Sequence, residues 1–187
     1  MIPATPALLI ASAGVFVGFG AEPVVSDGRW QSRGALVDRI LTETHGAYAG
    51  KALGWDAAFI QHVGYWAHYD PRDQRTGWTL PLTVNLDELG KWALRHGLLR
   101  EGPSPGDLFL LRSRTEELYV RMGVLAFVER EVEVRDGFWE YECITIEGDS
   151  QVDMALGGGK VMRHHRRLSA AHGDAFIDWA ALPVKNQ

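Results

Sequence analysis

The sequence predicts an α+β fold, helices first and an antiparallel sheet afterwards, on three observations. Between residues 35 and 96 apolar side chains recur at helical spacing. After Pro103 and Pro105 the chain turns rich in Val, Ile, Phe and Tyr, the residues that favour strands. Asp136-Gly137 then separates two such runs as a tight hairpin turn would. Helices and strands segregated along the chain are the α+β signature.

Taken in order, Met1 to Ala21 carries no charged side chain, and Ala7 to Ala21 is almost wholly apolar. Pro3 and Pro6 limit helix at its start, and Gly14, Gly18 and Gly20 loosen its end. Fifteen helical residues would reach only about 22 Å, short of the roughly 30 Å hydrocarbon layer. A secretory signal would want a basic start, and no basic residue precedes Arg29. Three readings stay open for residues 1–21: a poor signal segment, an arm packed on the domain or a partner, and a membrane-associated anchor. In the last two, Leu8, Leu9, Ile10, Val15, Phe16 and Phe19 are the contact residues. Residues 22–34, with Pro23 and Gly28, read as a turn-rich connector.

The domain is expected over residues 35–182, with 183–187 a tail. Ala35 to Thr44 has Leu36, Ile40 and Leu41 on one face and Asp38, Arg39 and Glu43 on the other. Trp55 to Tyr69 is an aromatic second helix between Gly54 and Asp70-Pro71. Asn85 to His96 is a third, capped by Thr83 or Asn85 and stopped at Gly97. Strands are expected at Asp107–Leu111, Tyr119–Arg130, Val132–Arg135, Trp139–Glu147 and Val161–Arg167. Ala175–Ala181 reads as a terminal helix or turn.

Composition narrows function only broadly. The chain has 187 residues, 46% hydrophobic and 23% charged, which is ordinary globular usage. Nineteen basic against 24 acidic side chains leave a net charge of −5, without the basic excess of a dedicated nucleic-acid binder. Cys143 is the only cysteine, so any thiol chemistry must use it.

Four landmarks stand in a particular order: Trp55-Asp56-Ala57-Ala58-Phe59-Ile60, Pro105-Gly106-Asp107-Leu108-Phe109-Leu110, Arg121-Met122-Gly123-Val124-Leu125 and Thr145-Ile146-Glu147-Gly148-Asp149. Together they resemble the papain-like amidases of the CHAP and NlpC/P60 type, which cleave peptide or amide bonds in bacterial cell wall. The resemblance spans roughly Ala35 to Trp179 and implies a papain-like fold. It matches Asp56 to the family's cysteine nucleophile, Arg121 to its histidine and Asp149 to the asparagine that orients that histidine.

Every one of those matched positions holds a different residue. A carboxylate is a far poorer nucleophile toward amides than a thiolate, and arginine cannot serve as a base. The resemblance therefore implies an inactive member with no catalytic residues, kept as a binding or structural subunit. Asp56, Arg121 and Asp149 would converge in the former cleft as a charge-assisted network, with Trp55, Trp66 and Tyr69 beside them as ligand-binding or interface residues. No cofactor or metal is expected. The partners implied are other protein subunits or peptidoglycan, with membrane contact through the arm and a periplasmic or membrane-associated setting. The competing class is an enzyme using Asp56 and Asp149 as acid and base on a glycan, which needs two carboxylates at suitable separation; a third is a peptidoglycan-binding module.

Other clusters carry less. His62 and His68 stand about 240° apart around a helix, so with Asp70 they make a poor metal set. His164 and His165, within Arg163-His164-His165-Arg166-Arg167, would point to opposite faces of a charged edge strand. Gly157-Gly158-Gly159-Lys160 lacks the spacing of a phosphate loop and reads as a turn.

Overall fold

Four helices and a six-stranded antiparallel sheet make up the computed structural model, which describes residues 5–20, 22–26, 29–33, 35–45, 55–68, 80–81, 83, 85–135, 137–150 and 159–181. The helices are α1 (Pro6–Val15), α2 (Ala35–His45), α3 (Asp56–His68) and α4 (Leu86–Arg95). Strands β1 (Glu22–Ser26) and β2 (Arg29–Arg33) form a separate antiparallel pair. The main sheet holds β3 (Leu99–Arg100), β4 (Leu108–Arg112), β5 (Tyr119–Arg135), β6 (Phe138–Ser150), β7 (Lys160–Leu168) and β8 (Ala175–Ile177), in the order β3-β8-β4-β5-β6-β7.

Helices do come before the sheet, as expected. Within residues 22–34, read from the sequence as a turn-rich connector, β1 and β2 pair, Glu22 with Arg33 and Ser26 with Arg29. The two strands expected at 119–130 and 132–135 are one continuous β5. Irregularities in its pairing with β6, at Leu125/Phe127, Val128/Arg130 and Glu133/Arg135, absorb the break in alternation. Ala175–Ala181 supplies a short central strand followed by a 3-10 turn at Trp179–Ala181.

Local chemistry explains the helix ends. Pro6 occupies the first turn of α1, where its missing N–H costs nothing, and Thr5 accepts from the Leu8 N–H. Asn85 caps α4 by accepting from the Asp87 and Glu88 N–H groups at 3.0 and 3.2 Å. Gly97 follows that helix at φ +65°, the left-handed turn that glycine permits.

The sheet has two unlike sides. On the helix side Leu108, Leu110, Met122, Val124, Ile146 and Ile177 join α1, α2, α3 and α4 in one core. On the far side Phe109, Leu125, Tyr141, Cys143, Leu168 and Phe176 form a second, smaller cluster. Alternation along each strand divides the two sets. Edge strand β7 is bonded near its start by the residues after α1: the Gly18 N–H donates to the Val161 carbonyl, and the Val161 N–H to that of Phe19, each at 2.8 Å.

Candidate functional site

The start of α3 carries the first expected site residue. Asp56 is buried, and its carboxylate accepts from the main-chain N–H of Ala57 at 3.3 Å and of Met122 at 3.2 Å. An acidic group at this end complements the helix dipole. It also ties the helix to β5 one residue from Arg121. Trp55 beside it is fully buried, with its ring edge-on to Phe59.

Arg121 leaves β5 on the other side. Met122 and Val124 enter the helix-side core, whereas a Cβ on Gly123 would meet Phe109 and Glu147 at 2.7 and 2.8 Å. Alternation therefore places Arg121, two residues before Gly123, on the far side. Asp56 approaches β5 from the helix side, so the expected meeting of these two side chains at one cleft does not describe the geometry. Asp149 belongs to β6 and its side chain is outside the described residues, as is all of Tyr69.

What the far side assembles instead is a polar cluster built around a buried acid. Glu147 is wholly buried and receives two parallel hydrogen bonds from Arg166, Nε to Oε1 at 2.8 Å and Nη2 to Oε2 at 2.7 Å. The Thr145 hydroxyl donates to the same Oε1 at 2.5 Å. This bidentate bonding holds the Arg166 guanidinium charged and raises its pKa further. His164 lies on the same side of β7, and its Nε2 is buried without a hydrogen-bond partner among the described residues. Burial lowers the pKa of this imidazole; Glu147 opposes that shift, and Arg166 and Arg121 add to it.

The alternation expected of the basic run is present: His165 is exposed and pairs with Glu129 at 3.1 Å, while His164 turns inward. The Glu147–Arg166 pair itself escapes sequence reading. Its members are nineteen residues apart, and only the β6–β7 register, with Glu147 opposite Met162 and Cys143 opposite Arg166, brings them together.

Two further acidic residues are sequestered. Asp107 accepts from the Ser104 N–H at 2.8 Å and lies 3.6 Å from Arg100, which also bonds Asp178. Burial pushes the Asp107 carboxyl up to about 6, against the lowering pull of the Ser104 N–H and Arg100. Asp174 accepts from the N–H groups of Arg112 and Ser169, both at 2.9 Å, and pairs with Arg114 at 3.2 Å. The Cys143 thiol is buried on β6 and pushed up to about 12, chiefly by desolvation. It is not a ready nucleophile.

Comparison of the chain with family models, curated proteins and solved structures finds no match.

The remaining expected residues fall in different surroundings. Leu9 is wholly buried in the helix-side core, Ile10 packs against that core, and the Phe16 ring meets Phe59 and His62 edge-on. Leu8, Val15 and Phe19 are exposed. Among the described residues no helix is long and apolar enough to cross a membrane. His62 is buried and accepts from the Trp66 indole N–H at 3.0 Å, an ordinary use of a helical i, i+4 pair. Trp66 keeps an exposed face. The His68 side chain, Asp70 and Gly157-Gly158 are outside the described residues, and among those described no cluster of His, Cys, Asp and Glu is arranged to hold a metal.

Shallow grooves mark the described surface. One, of about 350 Å³, is lined by Val134, Phe138, Trp139, Ser169, Ala171 and His172 near the turn end of the β5–β6 hairpin. Another, of about 320 Å³, lies over Glu129, Glu142, Cys143, His165, Arg166 and Arg167, whose charges are already paired.

Proposed function

We propose that this chain is a catalytically inactive, papain-like domain related to the CHAP and NlpC/P60 amidases, serving as a binding or structural subunit of a bacterial assembly. The observation that carries the reading is the state of Asp56. It occupies the helix start matched to the family's nucleophile, it is buried, and both its oxygens accept main-chain N–H groups. A carboxylate used in this way fastens α3 to the sheet and has little freedom to attack a substrate. The position matched to the catalytic base holds Arg121, on the opposite side of β5 from Asp56.

Against this, the carboxylate-enzyme reading requires Asp56 to exchange protons with a ligand in an open cleft. Its burial beneath the start of α3 disfavours that role. A protein partner is favoured over cell wall by the kind of surface left open: Leu8, Val15, Phe19 and Trp66 offer apolar contact around α1 and α3. A membrane-associated or periplasmic setting agrees with this surface and belongs to the same proposal.

Incubation with purified muropeptides, followed by chromatography of the products, tests the reading. The expected outcome is no amide cleavage by the intact chain, and no retention of the chain on sedimented peptidoglycan. Cleavage that disappears in Asp56→Ala overturns it in favour of an enzyme, and sedimentation with peptidoglycan overturns it in favour of a wall-binding module.

A further inference from the structure

Helix α1 is apolar on every side. Pro6–Val15 carries no charged side chain, and Ser12 is its only hydroxyl. A helix of that kind is ordinarily surrounded, by its own fold or by lipid. The fold covers one side: Leu9 and Ala13 enter the core, and Phe16 beyond them meets Phe59 and His62. Leu8, Ala11 and Val15, three and four residues apart, share the opposite side and are exposed, Val15 by 70%.

This exposed stripe continues to both flanks. Phe19, 54% exposed, meets the Phe16 ring edge-on at 6.3 Å. Beyond Phe16, His62 meets the ring of Trp66, whose own exposed face lies on α3. On the β7 flank stand two exposed cations. An Arg163 terminal nitrogen lies 3.8 Å from where a Cβ on Gly14 would be, and the Lys160 Cγ 2.6 Å from one on Gly20. Neither cation forms an ion pair among the described residues. Residues 5–20 offer them no acid. An aliphatic and aromatic face bordered by cations is complementary to an apolar layer with an anionic surface.

We propose that this face seats the chain on an anionic phospholipid bilayer. Leu8, Val15, Phe19 and Trp66 enter the boundary between headgroups and acyl chains, and Lys160 and Arg163 meet lipid phosphates. The helix lies on the bilayer and does not span it. Its 10 residues reach about 15 Å, half of the roughly 30 Å hydrocarbon layer. The inference rests on the membrane-associated setting proposed above and not on loss of catalysis, so cleavage of muropeptides would leave it standing.

Flotation of the full chain with lipid vesicles tests it. Phosphatidylglycerol vesicles are expected to carry the chain, and phosphatidylcholine vesicles to carry much less of it. Lys160→Gln and Arg163→Gln should each lower the partition coefficient about fivefold. Val15→Ser combined with Phe19→Ser should lower it by at least roughly tenfold. Phe138→Ser, as exposed as Phe19 but next to the turn of the β5–β6 hairpin, should bind as the wild type does. Thermal unfolding checks that each variant is folded; should the Val15 and Phe19 variant not fold, the two charge variants decide. No flotation, equal flotation with both lipids, binding untouched by these changes, or an equal loss in Phe138→Ser overturns the proposal. So does a lipid-free dimer in sedimentation that Val15→Ser abolishes, since the face would then join two copies of the chain.

Discussion

Asp107 shows how one buried acid gives the molecule a pH signature of its own. In the unfolded chain its proton leaves near the ordinary 3.8, whereas in the folded chain it is held to about 6. Between those values the native state binds more proton than the unfolded state, so stability falls as pH rises through the window and levels off above it. The shift corresponds to about 3 kcal/mol. Asp107→Asn keeps an oxygen for the Ser104 N–H but removes the titration. Urea unfolding between about pH 4 and about pH 6.5 should therefore show a flatter stability profile for the variant. An unchanged slope would reassign the effect to other acids. Asp107 was visible in the sequence only as part of a family-like motif. Its burial and its neighbour Arg100 depend on how β3, β4 and β8 are placed, which no local pattern states.

At the scale of elements, legibility followed length and period. α4 has a cap, an apolar stripe and a glycine stop, and each of these is local. β7 alternates inward and outward side chains, so opposite faces for His164 and His165 could be read directly. The β1–β2 hairpin was hidden because Pro23 and Gly28 signal turns and its strands are only five residues each. β3 and β8 are shorter still and carry no readable period; packing alone selects them. In the candidate site, Asp56 was legible as a helix start. That Arg121 lies across β5 from it was not, because the side of the sheet taken by each residue is fixed only when Met122 and Val124 meet the helices. The N-terminal segment gave three readings because apolar composition demands burial without naming a location. For α1, the structure answers with Leu9, sealed against its own domain, beside exposed Leu8. Leu9→Ala should cost about 2–5 kcal/mol in denaturant unfolding, and Leu8→Ala well under half of that. Equal effects would mean that α1 does not dock in solution.

At the scale of the whole molecule, strand order imposes a condition on folding. β8 is nearly the last element in the described chain, yet it sits between β3 and β4. Leu99 and Leu108 both pair with Ile177, and Phe109 pairs with Phe176. The two sides of the sheet meet at this strand, since Ile177 belongs to the helix-side core and Phe176 to the far cluster. Without it β3 has no partner, β4 has an open edge, and both cores lose a wall. Phe176, Ile177 and Trp179 are essentially fully buried. At about 1.5–3 kcal/mol for each buried side chain, their loss removes a large part of the roughly 5–15 kcal/mol that holds a typical domain together. A chain ending at Asp174 should therefore show no cooperative thermal transition and be cut rapidly by protease, whereas the full chain should unfold cooperatively. A cooperative transition in the shorter chain would show that the β4–β7 meander and its helices are stable alone. The C-terminal strand would then be an addition to a finished core, whereas the burial of Phe176 and Ile177 makes it the element that completes one.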